Sequence, residues 1–363
     1  MSRAKAVGAL TIALVTALGG CDSGPSQTEQ RAVTVKHLAS DFALAHYREF
    51  ATRMDALDTA VGALCAAPDQ ALLDAARDAA LAADVPWKQA EVIQFGPVVE
   101  YPERLGPKID DWPVKTADLE TLLVSEEPLT VESFASRGTA VRGIPVVEYL
   151  LWGPSLTEDD TLASLSGRRC EALVGVTGDL HANADALVAA WESPWVDWAG
   201  APSLADEGPW DFPQQALDEW TNRLAFTVEN IRVEKLGKPV GDASGGEPQP
   251  DTIERRYSGA SLAAAKHALA GVEQVWTGLD GSPESGIRSL VQSEALAASI
   301  DDQLADAMAK LDAIPEPLES AVTEDPGAIV AAQDALQALQ VSIQVDLAQD
   351  LSVTITFNDN DGD

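Results

Sequence analysis

Arg142-Gly143-Ile144-Pro145-Val146-Val147-Glu148-Tyr149-Leu150-Leu151-Trp152-Gly153 is the stretch from which the fold can be read. It opens on Gly-x-Pro and closes on Gly153-Pro154, with one carboxylate, Glu148, inside an otherwise apolar run. Proline is tolerated in the first turn of a helix, where its missing N–H would be unpaired anyway, so Pro145 marks a helix start. Glu148 then falls within the first turn or so, where the positive end of the helix dipole favours an anion. Val146, Val147, Tyr149, Leu150, Leu151 and Trp152 leave little room for a solvated face, so the carboxylate needs a partner or keeps its proton. Arg142 and Arg104 are the candidate partners, and the paired, charged state is the expectation.

Outward from this segment the chain reads as helices. Upstream, Val35, Leu38, Phe42, Ala45, Phe50, Met54, Leu57, Val61 and Leu64 recur at helical spacing over about Val33–Leu64. A second helix is expected over Asp69–Ala82, and Pro86 is expected to open a third that closes at Phe95-Gly96-Pro97. Downstream, 158–192 carries the longest periodic stripe, and a connector rich in Pro, Trp and Gly follows over Ser193–Pro213. Trp195, Trp198 and Trp210 in such a connector are expected to pack between helical bundles. The next helix, Gln214–Leu236, has its stop signal at Gly237-Lys238-Pro239, and further helices cover about 261–278, 285–313 and 327–350. Only Leu351–Phe357 looks β-like. The class is all-α: two packed helical bundles, 33–200 and 205–363, with a short extended segment at the C-terminus.

Gly143, Glu148, Tyr149, Leu150, Leu151 and Gly153 also resemble the signature of the imelysin family, Gly-x-His-x-x-Glu followed by an aromatic and two leucines. Pro145 stands where that signature has its histidine. Further landmarks resemble the family in order: Trp87 to Glu91 and Phe95-Gly96-Pro97, then Arg104 and Ile109-Asp110-Asp111-Trp112-Pro113, then Glu254-Arg255-Arg256-Tyr257-Ser258-Gly259. The resemblance implies that the two bundles form one domain. It also implies a site between them to which Glu91, Arg104, Asp110, Arg142, Glu148, Glu254, Tyr257 and Ser258 contribute. Arg255 and Arg256 read as countercharge or as solvated residues at a helix start.

The N-terminus reads as an address. Arg3 and Lys5 precede the apolar run Val7–Leu18, and Leu18-Gly19-Gly20-Cys21 resembles a bacterial lipobox, so 1–20 is a signal and Cys21 is the lipidated residue. The alternative is a plain secretory signal cut nearby. Residues 21–32 form a polar tether. The chain holds 24 Lys and Arg against 58 Asp and Glu, a net charge of −34, and loss of Arg3 and Lys5 with the signal makes it −36. Such a surface repels phosphates and argues against nucleic acid as a partner. Cys65 and Cys170 remain, free to pair in an oxidising compartment or to stay reduced.

Chemistry is thinly supplied. Among the four histidines, His46 with Glu49, His37 with Asp41 and His181 with Asp185 read as surface pairs along helices. No two histidines share a metal-ligand spacing, and nucleophile, phosphate-loop and dinucleotide motifs are missing. Asp359-Asn360-Asp361-Gly362-Asp363 resembles the opening of a calcium loop but stops before its distal glutamate, and reads as a polar tail. The functional expectation is a non-enzymatic, lipid-anchored envelope protein facing the periplasm. Its partners would be the membrane, through Cys21, and an envelope metal-uptake or redox system. The resemblance implies a role in iron uptake or ligand binding, with a divalent or ferric cation as the cofactor to look for. Alternatives are an imelysin-type metallopeptidase, disfavoured because Pro145 neither ligates metal nor transfers a proton, and an interaction module whose site has decayed.

Overall fold

The first helix starts earlier than its apolar stripe. Ser26 and Glu29 form a capping box, the hydroxyl accepting the Glu29 N–H and the carboxylate accepting the Ser26 N–H. Helix α1 (Gln27–His37) therefore begins inside the stretch read as tether. The backbone stays right-handed through wider turns at Leu38–Leu44 into α2 (Ala45–Ala66). Apart from Ala45, which is exposed, every residue of the expected stripe is buried. The structure, a computed structural model, describes residues 25–153, 158–205, 207–279 and 285–356. The lipobox at Cys21 and the tail at Asp359–Asp363 lie outside the described residues.

Helix α3 (Gln70–Gln89) is capped by Asp69, whose carboxylate accepts the Leu72 N–H at 2.8 Å. It runs straight through Pro86, where the sequence suggests a break. Proline forfeits one helical hydrogen bond, but Ala83, Asp84, Trp87 and Lys88 are buried on either side and hold the turn in place. Helix α4 (Ile144–Trp152) lies within the Arg142–Gly153 stretch, with Gly143 and Gly153 at its two ends. The expected long helix over 158–192 is split: Glu158–Ser164 is a short helix, Gly167 takes a positive φ of 50°, and α5 (Arg168–Ala190) follows. Helix α6 (Pro213–Asn230) continues through wide turns past Gly237-Lys238-Pro239 to Val240, and the left-handed Gly241 ends it. Helices α7 (Ser261–Thr277), α8 (Glu294–Asp312) and α9 (Gly327–Val341) follow, the last running on to Leu351, and shorter helices such as Thr116–Val124 and Val131–Ala135 lie between α3 and α4. A short helix, Leu318–Glu324, was not legible in the pattern.

Helices α2, α3 and α5 pack together, as do α6, α8 and α9, and α3 lies against α7 to join the two groups. Helix α1 crosses to pack on α6, and the buried apolar residues of both groups form one continuous core. The connector tryptophans behave as expected. Trp195 and Trp210 ring Phe95, whose other neighbours are Trp191 and Trp220, and Trp198 meets Trp195 edge-on. The edge-on Phe95–Trp220 pair, 5.0 Å between centroids, is of a kind worth about 0.5–1.5 kcal/mol beyond its buried area. Cys65 and Cys170 are joined in a disulfide that ties α2 to α5. No strand occurs among the described residues; 353–356 runs extended beside α6, where Asn222 accepts the Thr356 N–H and donates to the Thr354 carbonyl.

Candidate functional site

Glycine at 143 is required by the way α4 begins. Its φ is 78°, and a Cβ there would sit 2.3 Å from the carbonyl oxygen of Ile109. This close approach seats the start of α4 directly against the residues that lead into Asp110. From Ile144 as the first helical residue, Glu148 falls beyond the first turn, where the dipole's pull on an anion has faded. It is buried, and it is held by Ser258 rather than by an arginine. Its Oε1 accepts the Ser258 N–H at 2.8 Å and the Ser258 hydroxyl at 2.7 Å. Oε2 has no hydrogen-bond partner among the described residues. Burial pushes the Glu148 carboxyl up, and the Arg255 charge and the Ser258 bonds recover only part of that shift.

The expected partners lie elsewhere. Arg142 forks onto Asp179 of α5, Nε to Oδ2 at 2.9 Å and Nη2 to Oδ1 at 2.6 Å. A guanidinium satisfied by a bidentate carboxylate has no reason to reach Glu148. Arg104 is exposed and stays with Tyr101, donating to its hydroxyl at 3.0 Å. Neither arginine joins the site.

The other landmark acids do converge, but around cations supplied by the chain. Lys88 of α3 donates to Asp110 Oδ2 at 2.7 Å, to Glu91 at 3.2 Å and to Glu254 Oε1. Lys235, on the turns that extend α6, donates to Glu254 Oε2 at 2.6 Å and to Glu91 at 3.0 Å. Its ammonium lies 5.8 Å from the centre of the Trp112 ring. Arg255 bridges Asp84 and Asp110, reaching Asp84 Oδ1 at 2.6 Å and Asp110 at 2.9 and 2.7 Å, and Trp87 adds an indole N–H to Asp110 at 2.8 Å. Three cations thus face four carboxylates in a buried setting. Burial pushes the Glu254 carboxyl up, but Lys235 and Lys88 outweigh it and bring it down to about 2. At Asp110 burial is likewise outweighed, by Arg255 and Lys88, leaving the group well below the usual carboxylate range. Burial disfavours the Lys88 ammonium, yet Asp110, Glu254 and Glu91 raise its pKa well above the ordinary value.

Sequence reading overlooked Lys88, Lys235 and Asp84. The available signal was Lys88 in the run Pro86-Trp87-Lys88, a basic residue beside a large apolar one in a chain short of cations. His46 also differs from expectation. It is buried, its Nδ1 bonded to the Phe42 carbonyl at 2.8 Å, while Glu49 pairs with Arg53 at 2.7 Å. His37 with Asp41 and His181 with Asp185 are contacts along a helix, as expected.

Above Glu148 opens a cavity of about 300 Å³, walled by Trp112, Pro145, Glu148, Asp251, Arg256 and Tyr257. The Tyr257 ring meets Tyr149 edge-on at 5.1 Å, and the Arg256 guanidinium lies over its face at 5.4 Å while pairing with the exposed Asp251. Its walls therefore come from both halves of the sequence, and carry the carboxylates of Glu148 and Asp251, the guanidinium groups of Arg255 and Arg256, a phenol and an indole. A smaller void of about 20 Å³ lies on the other side of Glu148, among Met54, Leu57, Val147, Trp152 and Leu180. That is room for about one water molecule.

A family model described as imelysin matches residues 43–345. The chain belongs to the imelysin family. It is 26% identical, over 94% of its length and 92% of the relative's, to the iron-regulated protein A of Synechococcus elongatus. Its fold resembles an iron-regulated protein A precursor from Parabacteroides distasonis with a TM-score of 0.78, at 20% identity over 91% of this chain and 97% of that one. An imelysin-like protein from Psychrobacter arcticum matches with a TM-score of 0.74, at 22% identity over 92% and 99% of the two chains. A metal ion of the kind the imelysin resemblance implies does not fit the residues present. Pro145 offers no ligand, the converging carboxylates already hold ammonium and guanidinium groups, and no set of three His, Cys, Asp or Glu suited to a metal occurs among the described residues.

Proposed function

We propose that this imelysin is a non-enzymatic, lipid-anchored protein of the bacterial cell envelope that serves iron uptake by holding an iron chelate in the cavity beside Glu148. The cavity itself carries the reading. A chelate brings its own oxygen ligands, so it needs hydrogen-bond donors and ring faces in place of vacant metal ligands. Arg256, Tyr257 and Trp112 offer those from the cavity walls. Relatives named iron-regulated protein A support the link to iron, and Leu18-Gly19-Gly20-Cys21 supports the anchor. Among the described residues no helix is long and apolar enough to cross a membrane. Peptidase activity of the metal-dependent kind would need the landmark carboxylates for a metal, and here lysines and an arginine engage them.

Calorimetric titration of the mature chain with ferric citrate tests this, with citrate alone as control. The expected result is saturable binding of the ferric complex that weakens tenfold or more in Tyr257→Ala and Arg256→Ala. No saturable heat, or equal binding by both variants, overturns the proposal. Fractionation of a Cys21→Ala strain tests the anchor separately: the variant should leave the membrane fraction, and its retention there at wild-type size refutes lipidation.

A further inference from the structure

Lys88 and Lys235 have no part in the binding proposed above, yet both are almost wholly buried, with 2% and 3% of their side chains exposed. We infer that they are the resident cations of the Glu91–Asp110–Glu254 cluster: the cluster bolts the two helix groups together, and takes an ammonium in place of a metal ion. An ammonium has three N–H donors, and Lys88 spends all three on Asp110, Glu91 and Glu254. Both oxygens of Glu254 are taken, Oε1 by Lys88 and Oε2 by Lys235. Both oxygens of Asp110 are taken as well, by Arg255, Lys88 and Trp87. A divalent ion bound at about 2.0–2.6 Å from such oxygens would have to expel an ammonium or sit against it.

The groups come from separate elements of the fold. Lys88 rides on α3, Asp110 on the segment pressed against Gly143, Lys235 on the extension of α6, and Glu254 on the loop before α7. Each lysine therefore bridges elements on both sides of the sequence boundary near 200–205. A buried pair of this kind is costly to break, because removing one partner strands the other's charge.

Lys235 sits in a receptor-like setting. Two carboxylates and the face of Trp112 surround its ammonium, which is the environment that receives organic ammonium ions. A cavity of about 200 Å³ is lined by Lys88, Glu91, Asp110 and Trp112 among others, so it meets the cluster on its Lys88 side, and Glu91 is 15% exposed. The receptor is thus one for a primary alkylammonium, with the tethered side chain as its occupant.

Thermal melts of full-length mature protein test the inference, using Lys235→Ala, Lys235→Met and the wild type. The variants should melt several degrees lower. Ethylammonium chloride should raise the Lys235→Ala midpoint beyond what the same concentration of sodium chloride does, and leave the wild type unmoved. Wild-type protein should also show no melting shift with Mn²⁺ or Zn²⁺ and none with a chelator, a result independent of how the variants fold. The inference falls if Lys235→Ala melts with the wild type, if ethylammonium gives no excess stabilisation, or if wild-type protein gains a metal-dependent shift that Glu254→Gln abolishes. None of these readouts depends on ferric citrate binding, so the two proposals fail separately.

Discussion

Replacing Glu148 discriminates between a carboxylate that pairs with a cation and one held by a neutral group. The geometry has Oε1 accepting two bonds from Ser258, at 2.8 and 2.7 Å, with no arginine in direct contact. Glu148→Leu then leaves the Ser258 N–H without its acceptor, while the hydroxyl falls back on the Arg255 carbonyl 3.2 Å away. One stranded neutral donor costs about 1–3 kcal/mol, against about 3–5 kcal/mol had an arginine been stranded. Glu148→Gln keeps an acceptor oxygen and removes a charge that burial disfavours, so its effect stays within about 1 kcal/mol at neutral pH. The pH dependence has a definite sign. The folded-state pKa lies above the ordinary 4.5, so the native state holds a proton that the unfolded state has released. That contribution is fully present below 4.5 and is lost as pH rises through the folded pKa; in Glu148→Gln it is absent. Urea unfolding of wild type and both variants across this range, read from the midpoints at constant m, supplies the numbers. Losses of about 3–5 kcal/mol from both variants, or a wild-type-to-Gln difference that does not change with pH, would refute the reasoning.

Three further outcomes are expected. Gly143→Ala forces a side chain into a positive φ and onto the Ile109 carbonyl, and should cost about 2 kcal/mol or more in urea unfolding; a neutral effect would mean α4 does not begin as described. The Cys65–Cys170 disulfide closes a separation of 105 residues, so the Cys65→Ser/Cys170→Ser double variant should lose about 2–5 kcal/mol, and reductant should leave that variant unmoved while destabilising the wild type. Glu254, down at about 2, and Asp110 contribute stability that is present above their ordinary values of 4.5 and 3.8 and is lost as pH falls through their folded pKa values. Melting temperature against pH should therefore drop steeply towards pH 2, and less steeply in Glu254→Gln.

Local signals were legible where local physics decides. The glycines and proline around 142–153 mark a helix, and the helix is there. Glu148 with Ser258 and Tyr257, and Glu91 with Asp110 and Glu254, come from landmark stretches far apart in sequence and meet in space. What was not legible is the choice among partners. Arg142 is close to Glu148 in sequence, but Asp179 approaches it from α5, and only tertiary packing places that helix. Lys88 and Lys235 carry the same kind of lesson: a lysine in a helix reads as a solvated face until a second element brings carboxylates over it. Pro86 reads as a helix start because the local rule forbids it inside, and burial on both sides of it overrides the rule.

Anomalous diffraction from crystals of the wild-type protein grown with Mn²⁺ would test most directly that the chain's own lysines fill the carboxylate cluster. The expected map has side-chain density for Lys88 and Lys235 running into Glu91, Asp110 and Glu254, with no anomalous peak among those carboxylates. A manganese peak bridging two of them, with Lys235 turned out of the cluster, would contradict the account.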